Sequence, residues 1–297
     1  MRVVRMHGDP PVAASIAIAL EPTAGTGAGT VSRARDHRDK TLQSYVVLSH
    51  LVRSAFEELC EELPKPPGSR LPKIVGEATR AMGSNLAAGS LLLLYYNVAA
   101  ACHDERVESP AGNGRAALAL ALRDPASILF DVIREVSPSH VLPSSSSFWP
   151  DVRSPLYTLE RRRFEARPLG LALRLLARRD PVVEELVTAF ARTSRLAEER
   201  LSERGCAVPT SSEIDELYLR VCSKVEDYLI FRRRGAERAR ELKEECAKGR
   251  LPELSEEESM GSVADLVAVV LYYVCNECIE EWRASRFSKR GLQRFGR

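Results

Sequence analysis

Two aspartates and an asparagine stand where their chemistry is out of keeping with their neighbours. Asp265 interrupts the apolar run Ser262-Val-Ala-Asp-Leu-Val-Ala-Val-Val-Leu271. A carboxylate entering a core has to be paired, hydrogen-bonded or bound to a metal ion. A helix-dipole contact in the first turn accounts for Asp265 as readily as a ligand or Mg²⁺ contact does. The same question attaches to Asp227, just before Arg232 to Arg234, and to Asn85, between Gly83 and Gly89.

Other motifs point to less. The loop Gly25-Thr-Gly-Ala-Gly-Thr30 has the glycines to turn its amides toward a phosphate. It has no Gly-Lys-Ser/Thr ending and follows no strand, so it is neither a Walker A loop nor a dinucleotide fingerprint, and by itself it reads as a connection. Cys275-Asn-Glu-Cys278 is a lone CxxC. With no second pair to complete a zinc site, both are read as buried, inert thiols at helical spacing. The five histidines form no metalloprotease motif, and there is no Gly-x-Ser-x-Gly elbow. The basic tail 283–297 reads as a solvated end rather than as a nucleic-acid surface.

The elements that must carry these residues are helical throughout, since no stretch alternates at period two. Helices are expected over Val12–Glu21, Lys40–Leu63, Leu71–Met82, Leu86–His103, Gly114–Leu122 and Ala126–Val136, the last opened by Asp124-Pro125. The segment 137–155 holds four prolines and a serine run and is expected to be irregular. Helical spacing resumes over Leu156–Arg178, with a kink at Pro168. Asp180-Pro181 starts a helix reaching Arg204, Thr210 to Glu213 is a capping box, Leu229–Ala247 is amphipathic, and Ser262–Trp282 is the last buried helix. Ser255 to Glu258 reads as a second capping box. One all-α domain over 1–297 is the expected fold.

Composition agrees. The chain has 297 residues, 44% hydrophobic and 28% charged, with a net charge of +2. That is a globular balance with no general pull toward nucleic acid or an acidic membrane. The apolar stretches 86–102 and 263–279 carry polar residues and read as core helices rather than membrane spans. Val12 to Leu20 lacks the marks of a secretory signal. A cytoplasmic setting is expected. Two glutamines and four asparagines beside a heavy load of Arg and Glu suit a thermophilic source.

The odd positions also fall in a familiar order. Ser262-Val-Ala-Asp-Leu-Val-Ala resembles the Gly-Thr-Thr-Ala-Asp-Leu-Thr-Ala helix of the triphosphoribosyl-dephospho-CoA synthase family. Asp227-Tyr-Leu-Ile-Phe-Arg-Arg-Arg-Gly235 is similar to that family's Asp-Thr-Leu-Ile-Ala-Arg-Lys-x-Gly. Arg179-Asp-Pro-Val-Val-Glu-Glu-Leu resembles its Glu-Arg-Asp-Leu-Ile-Ala-Arg-Gln-Tyr stretch, and Gly83-Ser-Asn-Leu-Ala-Ala-Gly89 its Gly-x-Asn-Thr-x-x-Gly. The resemblance spans roughly 16–274. It implies an all-helical enzyme that moves the triphosphoribosyl group of ATP to the ribose 2′-hydroxyl of dephospho-CoA and releases adenine. An acyl carrier protein enters only afterwards, as the acceptor of the product.

By that resemblance Asp180 and Asp227 are catalytic candidates, and Asp227 and Asp265 are candidates to hold Mg²⁺. Arg232 and Arg233 would take phosphate, Asn85 would orient the nucleotide, and Gly83, Gly89, Gly235 and Gly261 would line or shape its site. The chain departs from the family at several points. Pro-Lys-Pro-Gly-Asn-Val reads Thr-Gly-Ala-Gly-Thr-Val, the Asn-Thr pair reads Asn85-Leu86, and Arg233 replaces a lysine. Nucleotide binding is therefore expected to survive more readily than turnover. A non-catalytic nucleotide-binding or interaction protein on the same fold is the alternative.

Overall fold

The computed structural model describes residues 8–25, 31–37, 40–136, 162, 167–255 and 258–289. Most of the glycine-rich loop (26–30), the central segment 137–155 and the tail beyond 289 lie outside these residues.

Among the described residues, six helices begin at a side chain that caps them. Asp9 accepts from Val12 N and sets α1 (Pro10–Leu20), with prolines in its first turn. Thr41 and Ser44 form a reciprocal box at the start of α2 (Leu42–Glu61). After α3 (Leu71–Met82) and α4 (Ala88–His103), Ser109 caps α5 (Pro110–Ala121). Then come α6 (Ser127–Glu135) and α7 (Leu169–Leu176), which starts directly after Pro168. Asp180 caps α8 (Pro181–Val187), and α9 (Ala191–Arg204) follows. Thr210 and Glu213 box α10 (Ser211–Cys222), and Asp227 caps α11 (Tyr228–Arg234). The chain continues through α12 (Ala236–Ala247) to α13 (Gly261–Lys289). Each such cap satisfies amides that would otherwise be orphaned. No strand occurs among the described residues.

The two most apolar helices are the innermost. In α13, positions 266–276 are all buried, and in α4 positions 90–100 are. A helix that is apolar all round has to be covered on all sides. Here α13 packs against α1, α4, α8, α9, α10 and α11. It is long and apolar enough to cross a membrane, yet 89% of its most apolar stretch is buried among the other helices, so it is a core helix. Tyr273 of α13 is answered from α4. Tyr273 donates to Asn97 Oδ1 at 2.6 Å, and Asn97 Nδ2 donates to Leu93 O at 2.9 Å.

Several expectations from the sequence need correction. The helix expected from Asp180 to Arg204 breaks at Ala189 and Phe190, both at positive φ. Glu185 reaches across the break and accepts from Arg192 N, Thr193 N and Thr193 Oγ1, which caps α9 better than a continuous helix would allow. Leu229–Ala247 is likewise two helices, divided at Gly235 with φ 93°. Asp124 does not cap α6. It is turned inward, accepting from Gly68 N at 2.9 Å and from the Tyr96 hydroxyl at 2.7 Å. Ser255 and Glu258 close a turn ahead of α13 rather than opening a helix. The last helix continues past Trp282 to Lys289, because Arg283 pairs with Asp9 and Glu280 instead of lying free in solvent.

The cysteines also differ from expectation. Disulfides join Cys60 to Cys102, Cys206 to Cys278 and Cys222 to Cys246. Cys278 is thus not a thiol; its CxxC neighbour Cys275 is free and buried, and burial pushes its thiol up to about 12. Sequence spacing hid these pairs because each partner lies on another element, brought close only by helix packing.

Candidate functional site

Four helices turn their first residues toward one cavity of about 270 Å³. Asn85 to Ser90 come from the entry to α4, Asp180, Val182 and Val183 from α8, Tyr228 and Leu229 from α11, and Gly261, Ser262 and Asp265 from α13. The first-turn amides of these helices are answered by side chains of the site itself, Asp180, Asp227, Asp265 and Asn85. Glu21 from the end of α1, Lys40 and Tyr45 complete this wall. Leu129, Val132 and Ile133 of α6 and Val136 beyond it supply an apolar wall.

Residues far apart in sequence, singled out by resemblance, meet here. Asn85, Gly89, Asp180, Arg232, Arg233, Gly261 and Asp265 all line the cavity. Gly83, Asp227 and Gly235 do not. Gly83 ends α3 in the left-handed region, and Gly235 makes the break between α11 and α12. Asp227 is a brace just behind the wall, 3% exposed. Its Oδ1 accepts from Leu229 N at 2.9 Å and Ile230 N at 3.0 Å, while Oδ2 accepts from Val263 N at 3.0 Å. One carboxylate thereby locks the starts of α11 and α13 together.

Asp265 has a more exposed setting. Its Oδ1 accepts from Ser90 N at 2.7 Å and Ser90 Oγ at 2.5 Å. The carboxylate lies against the α-carbon of Gly89, where any Cβ would overlap it. Asp180 accepts from Val182 N at 2.9 Å, and Asn85 Oδ1 from Ala88 N at 3.0 Å. Arg232 lies over the Tyr228 ring, 5.7 Å from its centroid.

Crowding carboxylates into a confined space raises their proton affinity. Burial first, then the charges of Asp180 and Asp227, push Asp265 up to about 7, against the pull of the Ser90 hydrogen bonds. Burial lifts Asp180 and Asp227 to about 6 each, although backbone amides stabilise both as anions. Glu21 is raised most, to about 8. Burial is the main cause and Asp265 adds to it, while the Tyr218 hydroxyl and Lys40 oppose it.

Sequence reasoning missed Glu21, Lys40, Tyr45 and Ser90. Glu21 had one visible signal, as a lone acid closing an otherwise apolar helix. Lys40 had none, since a lysine ahead of an amphipathic helix is ordinary. Its arrival matters because the family's loop lysine is absent from this chain. As for a metal ion, no three His, Cys, Asp or Glu side chains are grouped to hold one among the described residues. Both oxygens of Asp227 already accept from backbone amides, and Asp265 belongs to no such group of three, so this pair is not built as a resident magnesium centre.

The CitG family, ATP:dephospho-CoA triphosphoribosyl transferase, matches residues 9–284. The chain belongs to this family. A solved structure from Archaeoglobus fulgidus, described as a candidate triphosphoribosyl-dephospho-CoA synthase, has a similar fold. Its TM-score is 0.59 at 20% identity, covering 78% of this chain and 98% of that one. No curated protein matches. The family spans every element that lines the cavity, from Glu21 at the end of α1 to Asp265 in α13.

Proposed function

We propose that the protein transfers the triphosphoribosyl group of ATP to a hydroxyl of dephospho-CoA and releases adenine. The observation that carries this reading is the convergence on one cavity of Asn85, Asp180, Arg232, Arg233 and Asp265 with Lys40. Cationic side chains suit a triphosphate, and carboxylates suit the positive charge that builds at a ribose C1′ as its glycosidic bond breaks. Magnesium enters as the counter-ion of the triphosphate, hence as part of the substrate.

The residues then divide the work. Arg232, stacked on Tyr228, and Arg233 hold phosphate oxygens. Lys40 supplies the ammonium that the altered N-terminal loop lacks. Asp265, oriented by Ser90, faces the anomeric carbon. Asp180 and Asp227 fix the starts of α8, α11 and α13, so their role is positioning. The apolar α6 wall excludes water from the reacting bond.

The test is adenine release from MgATP, followed with and without dephospho-CoA. Release that depends on dephospho-CoA is expected. A thermal shift with MgATP but no adenine release with any hydroxyl acceptor favours the non-catalytic nucleotide-binding alternative and overturns the transferase reading.

A further inference from the structure

Glu21 is a carboxyl group in a place where burial, a helix C-terminus and a neighbouring carboxylate together outweigh what favours its anion. It closes α1, with its N–H donating to Ala17 O, so it sits at the negative end of that helix. It is 4% exposed, yet it forms part of the cavity wall. Three titratable groups act on it from the elements packed around it: Lys40 ahead of α2, Tyr218 in α10 and Asp265 in α13, and Tyr45 of α2 stands beside Tyr218. Only Lys40 favours the anion by its charge. The Tyr218 hydroxyl, itself fully buried, donates to Glu21 Oε1. Tyr218 thus fixes one oxygen, and a proton held by Glu21 rests on the other.

A purine leaving a ribose carries away the electrons of the glycosidic bond and must be protonated as it goes. We propose that Glu21 is the proton donor to the departing adenine, set in place by Tyr218, while Asp265 receives the proton of the attacking hydroxyl. This rests on the transferase reading above. In the step, the acceptor oxygen bonds to C1′ of the ATP ribose and the C1′–N9 bond breaks. Its electron pair goes to the purine, which takes the Glu21 proton, and the hydroxyl proton passes to Asp265. Glu21 ends as the carboxylate and Asp265 as the acid, and proton exchange on product release restores both. Glu21 takes the donor role because it closes α1 at that helix's negative end in the cavity wall, with Tyr218 fixing one of its oxygens, and its burial raises its proton affinity in support.

The experiment compares wild type with Glu21→Gln, whose amide has the shape of the neutral acid. Adenine release should fall about 10²- to 10⁴-fold, as expected for a lost general acid. The thermal shift with MgATP should keep its midpoint within about threefold, less than half a decade of affinity. Wild-type kcat should decline as pH rises through about 8, and that limb should be missing in Glu21→Gln. Tyr218→Phe should keep part of the activity and move the limb. Unchanged release in Glu21→Gln beside an active wild type overturns this assignment and leaves the transferase reading standing. So does a loss matched by an equal loss of MgATP affinity. Should Glu21→Gln not fold, the wild-type profile decides, and a kcat flat from pH 7 to 9 overturns the assignment. A wild type that binds MgATP but never releases adenine overturns both.

Discussion

The carboxylate of Asp265 and the α-carbon of Gly89 are in direct contact, so α13 and α4 meet through a side chain that only glycine admits. The next residue, Ser90, donates to the same carboxylate from both its backbone and its hydroxyl. Gly89→Ala should therefore displace Asp265 while adding a better helix former to the first turn of α4. Expected is a loss of about 10² in kcat, the scale of a misplaced reacting group, at nearly unchanged Tm. Adenine-release kinetics with a melting curve on the same sample checks it, and unaltered kcat would show that the Asp265 carboxylate need not be held.

Arg232 is half-buried and stacked on Tyr228, whereas Arg233 is exposed at the rim. Arg232→Ala should weaken MgATP binding about 10- to 100-fold, as for a lost charge-assisted hydrogen bond of about 1.5–3 kcal/mol. Arg233→Ala should cost less, because solvent and salt screen an exposed charge. Both effects belong in KM rather than kcat. Titrations at low and high salt separate the two residues, and a larger effect at Arg233 would reverse the assignment.

Asp227 calls for a different variant. Its side chain accepts from amides at the starts of two helices, so Asp227→Ala leaves buried N–H groups without partners. A lost cap costs about 1 kcal/mol and a buried orphan donor about 1–3 kcal/mol. Destabilisation of about 2–4 kcal/mol is expected, read as a lower denaturant midpoint without any magnesium present. A variant as stable as wild type would return Asp227 to a purely chemical role.

Much of this site was readable before any coordinates. Asp265 and Asn85 stand out because carboxylate and amide groups lie among apolar or glycine neighbours, and both line the cavity. The all-helical fold followed from spacing alone. What was not readable depended on contacts between elements. The breaks at Phe190 and Gly235 look helical in sequence, because the side chain that caps α9, Glu185, acts across a turn that local propensity does not register. Glu21 and Lys40 are ordinary residues until packing carries them to Asp265. The disulfides needed helices at their final spacing before any pairing made sense.

Stability should depend on pH in a direction set by the same carboxylates. Glu21, Asp265, Asp180 and Asp227 all bind protons more tightly folded than unfolded, with folded values of about 8, 7, 6 and 6. Their contribution is complete below the unfolded values and lost as pH rises through about 6 to 8. Glu258 has the opposite sign. Its ion pair with Arg238 lowers it to about 2, so its contribution is lost as pH falls below the ordinary carboxylate range. The ligand-free protein should melt highest near pH 5 and lower at pH 9. Glu21→Gln should flatten the alkaline decline, and a Tm rising from pH 5 to 9 would contradict the placement of these acids.

The disulfides separate stability from function. Cys222 and Cys246 join α10 to α12, and the chain between them carries Asp227, Tyr228, Arg232 and Arg233. Cys60 and Cys102 join α2 to α4 at the far end of α4 from the cavity. Thirteen residues of helix, about 20 Å, separate Cys102 from Gly89. Their sequence separations of 24 and 42 give similar chain-entropy contributions of about 3–4 kcal/mol. Replacing either pair by alanines should thus lower Tm by a similar amount, roughly 5–10 °C. Of these two pairs, Cys222/Cys246 is the one that closes the segment presenting Arg232 to the triphosphate. Its loss should raise KM for MgATP several-fold below the melting range, whereas loss of Cys60 and Cys102 should leave KM unchanged. Thiol titration of the unfolded wild type, with and without reductant, establishes first that both bonds are formed. Equal KM changes in the two variants would show that the 222–246 bond supports the fold in general and has no particular hold on the phosphate-binding segment.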